Sequence, residues 1–359
     1  MANSILNSDD GSVSGSAGLK FTAGDDGVLK IQNNGTDALT LSSAGAVTFD
    51  KELSAPLSQP GAFMFRNKLI NGNFDIWQRG TSQTSSGYGS ADRWRCLSVG
   101  STKTASQQAF ALGQTDVPNN PQYFMRHVVT SVAGASNYVA MDQKIEGVET
   151  LSGKTATLSF WAKADASKNI GVEFLQYFGD GGSPSSFVIV NTQLVALTTS
   201  WTKYTITVDI PSVSGKTLGT TGNDDIRVTF WFDAGSSNDA RSASLGQQSG
   251  TFDIAQVQLE EGSAATPFEQ RPYGMELSLC QRYYFTGFVG RAWNFTGSTI
   301  AVGQSFSFPT TMRVTPTVAL TGSPTAIVDQ SVSGFSAYKN SIGSGGNFSP
   351  GTCTADAEL

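Results

Sequence analysis

The stretch FDIAQVQLEEGSAATPFEQRPYGMELSLCQRYY, residues 252–284, passes from an alternating pattern through a linker into a helical pattern. In AQVQLE the apolar residues Ala255, Val257 and Leu259 alternate with polar residues. This period of two predicts a strand with one buried and one wet face, which we expect to close a β-sandwich.

The second half of this stretch predicts a helix. Turn and linker residues fill EGSAATPFEQRP, and Met275, Leu279 and Tyr283 then recur at intervals of four. Residues at this spacing stack on one face of a helix. We therefore predict a short linking helix over residues 271–285 between two β domains.

Strand patterns also precede the opening stretch. The segments TATLSFWAKA (155–164), WTKYTITVDIP (201–211) and IRVTFWFDAG (226–235) are each apolar on one side. Such strands, separated by glycine- and serine-rich loops, predict two antiparallel sheets packed face to face. We assign residues 61–270 to this jelly-roll sandwich.

Beyond the helix, residues 286–359 again show short strand patterns with glycine-rich turns. Phe306 and Phe308 fall on one face of a predicted strand that ends at Pro309. A segment of this size makes a small C-terminal β-sandwich. The predicted fold class is therefore all-β.

A repeat of short strands occupies the N-terminal residues 1–60. In GLKFTAGDDGVLKIQNNGTDALTLSSAGAVTF, Phe21, Ile31 and Leu41 lie ten residues apart, and Phe49 closes a fourth strand. So small a segment cannot enclose a core alone. Identical copies could cover its apolar face, which predicts a homo-oligomer, with a trimer favoured. The alternative is a satellite sheet folded onto the next domain.

Composition excludes several functions. The chain has 359 residues, 39 glycines, a net charge of -6 and no cluster of Lys or Arg, so nucleic acid is not an expected ligand. No run reaches the roughly 18 apolar residues of a membrane span, and the N-terminus lacks a secretion signal. We expect no membrane insertion and folding in a cytoplasm.

Cysteine and histidine are scarce. Cys96, Cys280 and Cys353 are odd in number, far apart and without a C-x-x-C pairing, which favours buried free thiols. His127 is the only histidine. A histidine-based metal cage or Cys-His pair is therefore not expected.

Six motifs occur along the chain: NKLINGNFDIWQRGTS (67–82), SADRW (90–94), LSFWAKA, QYFGDGGSPS, the opening stretch and the terminal ADAEL. Together, in this order, they resemble tail-fibre and related virion structural proteins of tailed bacteriophages. The middle region also resembles jelly-roll carbohydrate-binding modules. The resemblance implies a trimeric, non-enzymatic virion appendage, assembled in the host cytoplasm. Its N-terminus would bind other virion proteins, and its distal part a host surface glycan or outer-membrane component.

Jelly rolls of this type often hold a structural calcium ion near the first and last strands, where this chain has Asp75 and Asp253. Calcium prefers six to eight oxygen ligands. Two carboxylates do not supply them, so we predict no metal or cofactor and interpret Asp253 as a hydrogen-bond acceptor.

Aromatic residues on the non-core face of the sandwich are the main candidate ligand site. We predict that Leu158, Phe160, Val228, Phe230 and Phe232 point inward, so that Trp161 and Trp231 point outward. Tyr177 joins them if Phe174 and Phe178 are in the core. Sugar rings could stack on outward aromatic side chains of this kind. The alternative is that a loop, the helix or another subunit covers these rings. Polar side chains predicted to fix sugar hydroxyls are Lys163, Gln176 and Arg227.

A second candidate lies in GFVGRAWNFTG, residues 287–297, where Trp293 and Arg291 stand among glycines. An exposed aromatic on such a loop would suit an adhesin contact. Trp293 as a core anchor of the C-terminal domain is the alternative.

No familiar catalytic motif is present, so we predict that the chain is not an enzyme. The paired acids of the sequence lie in turn-like contexts, although a depolymerase needs only two suitably spaced carboxylates. We therefore predict a receptor-binding tail fibre. A purely architectural head fibre, decoration or neck protein and a polysaccharide depolymerase are the alternatives.

Overall fold

A computed structural model describes most of the chain and divides it into two compact units, Met1–Ala62 and Phe63–Leu359. Within the first unit it describes only the backbone of three short strands. In residues 293–294, 300–302, 340–342 and 347–348 it likewise describes only the backbone. The described residues are 29–33, 36–41, 47–49, 65–288, 293–294, 300–321, 326–342, 347–348 and 351–359.

The N-terminal unit contains a three-stranded antiparallel sheet. Its strands β1 (Leu29–Asn33), β2 (Thr36–Leu41) and β3 (Val47–Phe49) pair in chain order. These strands match three of the four strands predicted from the repeat. The predicted strand ending at Phe21 lies outside the described residues.

The second unit contains a sandwich of two antiparallel sheets, one with the order β11-β10-β13-β8-β5 and one with the order β12-β9-β14-β7-β6-β4. This arrangement confirms the predicted all-β class and is consistent with a jelly roll. The strands are β4 Ser82–Gln83, β5 Arg95–Val99, β6 Thr102–Ala109, β7 Tyr123–Thr130, β8 Tyr138–Glu146, β9 Thr155–Ala164, β10 Lys168–Tyr177, β11 Val188–Leu197, β12 Thr202–Asp209, β13 Asp225–Ala234 and β14 Gly250–Glu261.

The core lies between these two sheets and is rich in aromatic rings. Phe160 of β9 meets Phe230 of β13 edge to face at 5.1 Å between ring centroids, and Phe230 is 6.4 Å from Trp94. Period-two alternation correctly predicted the inward side chains of these strands. They are Leu158, Phe160, Ala162, Ile206, Val208, Val228, Phe230 and Phe232, all buried.

Strand β14 differs from its prediction. It lies between β9 and β7 in the middle of the six-stranded sheet, and a bulge with Gln256 at φ 47° interrupts its alternation. Ala255 therefore pairs with Trp161, whereas Val257 and Leu259 enter the core. The predicted wet face is wrong, since Gln256, Gln258 and Glu260 are all buried. Their partners are Pro118, Thr266 and Pro267.

The predicted helix is present as α2, Tyr273–Gln281, and a shorter helix α1 spans Asp239–Ser242. The face of α2 that carries Met275 and Leu279 is not its most buried face. Its buried side chains are Glu276 and Cys280, whereas Met275 and Leu279 are only half-buried. Glu276 is tolerated there because it accepts hydrogen bonds from the backbone N–H of Asn71 and from Arg271.

The C-terminal strands form two three-stranded antiparallel sheets, β15-β22-β18 and β17-β20-β19, and a two-stranded pair. One hydrophobic cluster joins Phe335 and Ala337 of β20 to Cys353 and Ala355 of β22, which confirms the small C-terminal sandwich. The strands are β15 Tyr284–Phe288, β16 Trp293–Asn294, β17 Ile300–Ser307, β18 Thr317–Leu320, β19 Ala326–Ser331, β20 Gly334–Ile342, β21 Asn347–Phe348 and β22 Thr352–Asp356.

Candidate functional site

The outer face of the six-stranded sheet, turned away from the core, carries Trp161 as predicted. Trp161 and Lys163 are half-buried, and the alternate residues Phe160 and Ala162 are in the core. Trp161 lies opposite Lys203 on one neighbouring strand and Ala255 on the other.

Three further aromatic residues lie on or beside this outer face. The ring centroid of Trp201 is 5.2 Å from those of Phe110 and Phe124, which are 4.8 Å from each other. Trp201 comes directly before β12, and Phe124 lies on β7 next to inward-facing Met125. One strand, β14, separates β7 from Trp161, so Trp161 and Phe124 stand about 10 Å apart. We call Phe110, Phe124, Trp161 and Trp201 the aromatic patch.

Charged groups occupy fixed positions beside the patch. The guanidinium of Arg126 donates two hydrogen bonds, of 2.7 and 2.8 Å, to the carboxylate of Asp253. The Nζ of Lys163 lies 3.9 Å from the same carboxylate and 5.1 Å from the ring centroid of Trp201. The hydrogen bonds that Arg126 donates to Asp253 raise the pKa of Arg126. Arg126 and Lys163 both keep about a third of their side chains exposed, so both cations can contact a ligand.

The loop between β6 and β7 holds Phe110 in the patch. The backbone N–H of Phe110 donates to the carbonyl of Gln122 at 3.0 Å, and Gln114 bonds both the N–H and the carbonyl of Val117. Gln256, at the β14 bulge, donates to the carbonyl of Pro118. Side-chain amides thus hold this loop together and bind it to the sheet. Phe110 is therefore held in position before a ligand binds.

Sequence reasoning missed three of the four patch residues, although alternation contained the signal. Trp201 lies an odd number of residues from Ile206 and Val208, which point inward, so alternation places it on the outer face. Phe124 directly precedes inward-facing Met125, so alternation places it on the outer face as well. Phe110 has no such signal, because it lies in a loop.

The prediction that the ring of Trp231 is exposed to solvent and to a ligand is wrong. Trp231 lies on the outer face of the five-stranded sheet, but only 2% of its surface is exposed. Tyr138 and Leu245 pack on it, the guanidinium of Arg241 lies 5.2 Å from its ring, and its Nε1–H donates to Glu173. The alternative interpretation, that a loop covers the ring, is therefore correct for this tryptophan.

Tyr177 is half-buried and also belongs to the five-stranded sheet, so the sandwich core separates it from Trp161. Its hydroxyl donates to Asp180 at 2.5 Å, and Arg227 lies over its ring and pairs with Asp225. The three predicted aromatic residues therefore do not form one site. The candidate Gln176 is buried and donates to the carbonyl of Pro211, so it is not available to a ligand.

The second predicted site falls largely outside the described residues. Arg291 lies outside them, and of Trp293 only the backbone is described, paired with Phe348 in a short two-stranded sheet. The roles predicted for these two residues stay predictions.

The two carboxylates considered for calcium do not fit a shared ion. The Asp253 carboxylate accepts a hydrogen bond from the guanidinium of Arg126, and Asp75 accepts one from Asn73 at 2.8 Å. Across the described residues, no group of three or more His, Cys, Asp or Glu side chains could hold a metal ion. All three cysteines are free and buried, as predicted. In the same part of the chain no helix is long and apolar enough to cross a membrane.

Four of the six motifs that carry the resemblance meet at what we call the C-terminal junction: Arg79, Arg93, Tyr283, Tyr284 and Glu358. The guanidinium of Arg93 lies 3.5 Å from the ring centroid of Tyr283 and donates to Glu358 and to a backbone carbonyl of β8. The guanidinium of Arg79 lies 3.6 Å from the ring centroid of Tyr284 and 3.2 Å from Glu358. These motifs therefore join the jelly roll, α2 and the last strand.

Comparison with known proteins leaves the family open. No protein-family model matches the chain, and no curated protein matches it. Solved structures with partial similarity include a structure described as "CBM4 structure and function", with a TM-score of 0.30 and 16% identity over 54% of this chain and 98% of the other. A family 11 carbohydrate-binding module from Clostridium thermocellum has a TM-score of 0.30 and 12% identity over 52% of this chain and 98% of that one.

The enzymatically active domain of bacteriophage CBA120 tailspike protein 4 also has partial similarity. Its TM-score is 0.31 with 12% identity, over 55% of this chain and 22% of that one. Similarity at these scores carries no functional argument.

Proposed function

We propose that the chain is a non-catalytic virion structural protein of a tailed phage, a tail fibre that binds host-surface glycans through the aromatic patch. The observation that carries this proposal is the patch itself, with its rings grouped beside two partly exposed cations.

The chemistry of the patch matches that of a sugar. The C–H faces of a pyranose pack on aromatic rings, and its hydroxyls hydrogen-bond to fixed polar groups. Here Trp161 and Trp201 are half-buried and supply ring surface, and the adjacent Lys163 and Arg126 supply donors. Asp253 holds both cations in place, so little side-chain freedom is lost on binding.

The N-terminal unit supports a role in assembly. Three strands of three to six residues make too small a sheet to enclose a core. We propose that sister copies complete it in a homotrimer, and that this region attaches the fibre to other virion proteins. Several patches on one particle would then turn weak single-site binding into strong attachment.

A specific observation favours the architectural alternative, a head fibre, decoration or neck protein without a ligand. Four of the six motifs that resemble virion proteins have structural partners at the C-terminal junction. These residues explain how the domains are joined and add nothing to ligand recognition. The aromatic patch would then be the contact surface of another virion protein.

A glycan array probed with the full chain tests the proposal against this alternative. Loss of a central aromatic contact typically costs about 2 kcal/mol or more, so Trp161→Ala and Trp201→Ala should each weaken glycan binding about 30-fold. Phe187→Ala is the matched control, because Phe187 is 53% exposed. It lies directly before β11, at the end of that strand remote from Trp201. Failure of the wild-type chain to bind any bacterial surface glycan would favour the architectural protein.

A further inference from the structure

A concave site that shares no residue with the aromatic patch lies next to it, since its lining residues Gln122 and Tyr123 directly precede Phe124. A cavity of about 400 Å³ opens between the loop around Asn73, the segment before β7 and the residues leading into α2. Its volume falls in the range of roughly 300–1,000 Å³ that small-ligand pockets occupy. Its lining includes Asn73, Asp75, Gln122, Tyr123, Arg271 and Tyr273.

The charges in the wall of the cavity are mostly compensated from within. Arg271 donates to Glu269, to Glu276 and to two backbone carbonyls. The two glutamates also accept hydrogen bonds from the backbone N–H groups of residues 65, 67 and 71. Asp75 is the remaining lining carboxylate, and burial raises its pKa. The cavity therefore does not have the concentrated charge that would select a multiply charged ion.

Two buried polar atoms in the lining lack a hydrogen-bond partner among the described residues. One is an acceptor, Oδ1 of Asn73, and the other is a donor, Nε–H of Arg271. The amide of Asn73 is held in orientation, because its Nδ2–H₂ donates to Asp75 at 2.8 Å. Both atoms are buried within the protein itself, so neither faces the open part of the cavity.

The polar groups that line the cavity suit a ligand with hydroxyls, because a hydroxyl donates one hydrogen bond and accepts others. The lining also offers amides of Asn120 and Gln122 and the rings of Tyr123 and Tyr273. Tyr273 is 63% exposed, so it can meet a ligand as it enters. Donors, acceptors and aromatic rings together match a ligand with several hydroxyls on an apolar C–H frame.

We infer that this cavity binds one neutral hexose unit, either a free monosaccharide or the terminal residue of a glycan. The inference does not depend on the aromatic patch, which is a different surface. The hexose would donate a hydroxyl to Asp75, which the Asn73 amide holds in place, accept from the amide of Gln122, and pack its C–H face on Tyr123 or Tyr273.

Saturation-transfer-difference NMR on the full chain tests this inference directly. The probes are glucose, galactose, mannose, N-acetylglucosamine and N-acetylgalactosamine, each as the free sugar and as its methyl glycoside. They are used at about 5 mM, because single-sugar sites often have millimolar Kd values, near −4 kcal/mol. A signal from the methyl glycoside indicates a chain-terminal residue, and a signal from the free sugar alone indicates a monosaccharide.

We expect at least one probe to give a signal that falls at least tenfold in Asn73→Ala. The signal should persist in Asn169→Ala, a matched exposed asparagine, and in the double variant Trp161→Ala, Trp201→Ala. If Asn73→Ala does not fold, Gln122→Trp replaces it. Gln122 is exposed, and an indole ring at this position would fill the mouth of the cavity.

Three results would overturn the inference. They are no signal from any probe, an equal signal in the cavity variants, and a crystal soaked with the probes that shows ordered water only. A signal lost in the tryptophan variants but kept in the cavity variants would also reject this cavity, while leaving glycan binding at the aromatic patch intact.

Discussion

The single histidine makes a quantitative prediction about acid stability. His127 is completely buried on β7, where its ring stacks on Phe232 at 4.4 Å and its Nε2 lies 3.3 Å from the sulfur of Met141. Its Nδ1 has no partner among the described residues. Burial, with a smaller effect of the Lys103 charge, lowers the pKa of His127 from 6.5 to about 3. The folded protein therefore keeps this ring neutral.

The sign of the effect follows from proton binding. Between pH 6.5 and about 3 the unfolded chain protonates His127 and the folded chain does not, so acid favours unfolding. One pKa unit corresponds to about 1.4 kcal/mol, so the histidine should remove about 2.7 kcal/mol of stability between neutral pH and pH ~4.5. Burial raises the pKa of Asp92 to about 6, and that group acts in the opposite sense over part of this range.

His127→Leu isolates the histidine from the carboxylates, because leucine cannot be protonated and the other groups are unchanged. Urea denaturation followed by tryptophan fluorescence, at pH values from ~7 to ~4.5, gives the free energy of unfolding of both proteins. The difference, wild type minus variant, should fall by about 1.4 kcal/mol per pH unit below ~6. A difference that stays constant with pH would refute the buried neutral histidine.

Three other predictions concern the junction, one close backbone contact and assembly. Glu358→Gln leaves the buried guanidinium of Arg93 without its anionic partner and should lower stability by about 3–5 kcal/mol, whereas the exposed control Glu261→Gln should cost at most about 1 kcal/mol. Equal losses of stability in Glu358→Gln and Glu261→Gln, measured by thermal denaturation, would contradict the stabilising role of the junction. Gly72→Ala would press a methyl group against a carbonyl oxygen of β14 and should cost about 1–3 kcal/mol, while Gly274→Ala, in open space on α2, should be neutral or stabilising. Mass photometry of the full chain should give three times the 37.8 kDa of one chain, and a stable monomer would refute the trimer.

Period-two alternation predicted the sandwich because most strands have one side in the core. It identified Phe160 and Phe230 as inward and Trp161 as outward without any knowledge of pairing. It failed at β14, where the bulge at Gln256 changes which side chains face the core. A bulge depends on what the neighbouring strands require, so local sequence does not reveal it.

The candidate site was less predictable than the fold. Alternation says that a residue points away from the core, but not what covers it. Trp231 and Trp161 have the same parity signal, yet Leu245 and Arg241 cover only Trp231. The assignment of strands to sheets, which separates Tyr177 from Trp161, depends on long-range pairing. The cavity near Asn73 brings together three distant segments, which no local pattern could indicate.

The most direct test of the proposed function is isothermal titration of the full chain with the best glycan from the array, comparing wild type with Trp201→Ala and Phe187→Ala. We predict that the wild type and Phe187→Ala bind with equal affinity, and that Trp201→Ala binds about 30-fold more weakly. Equal affinity in all three proteins would show that the aromatic patch is not the glycan site.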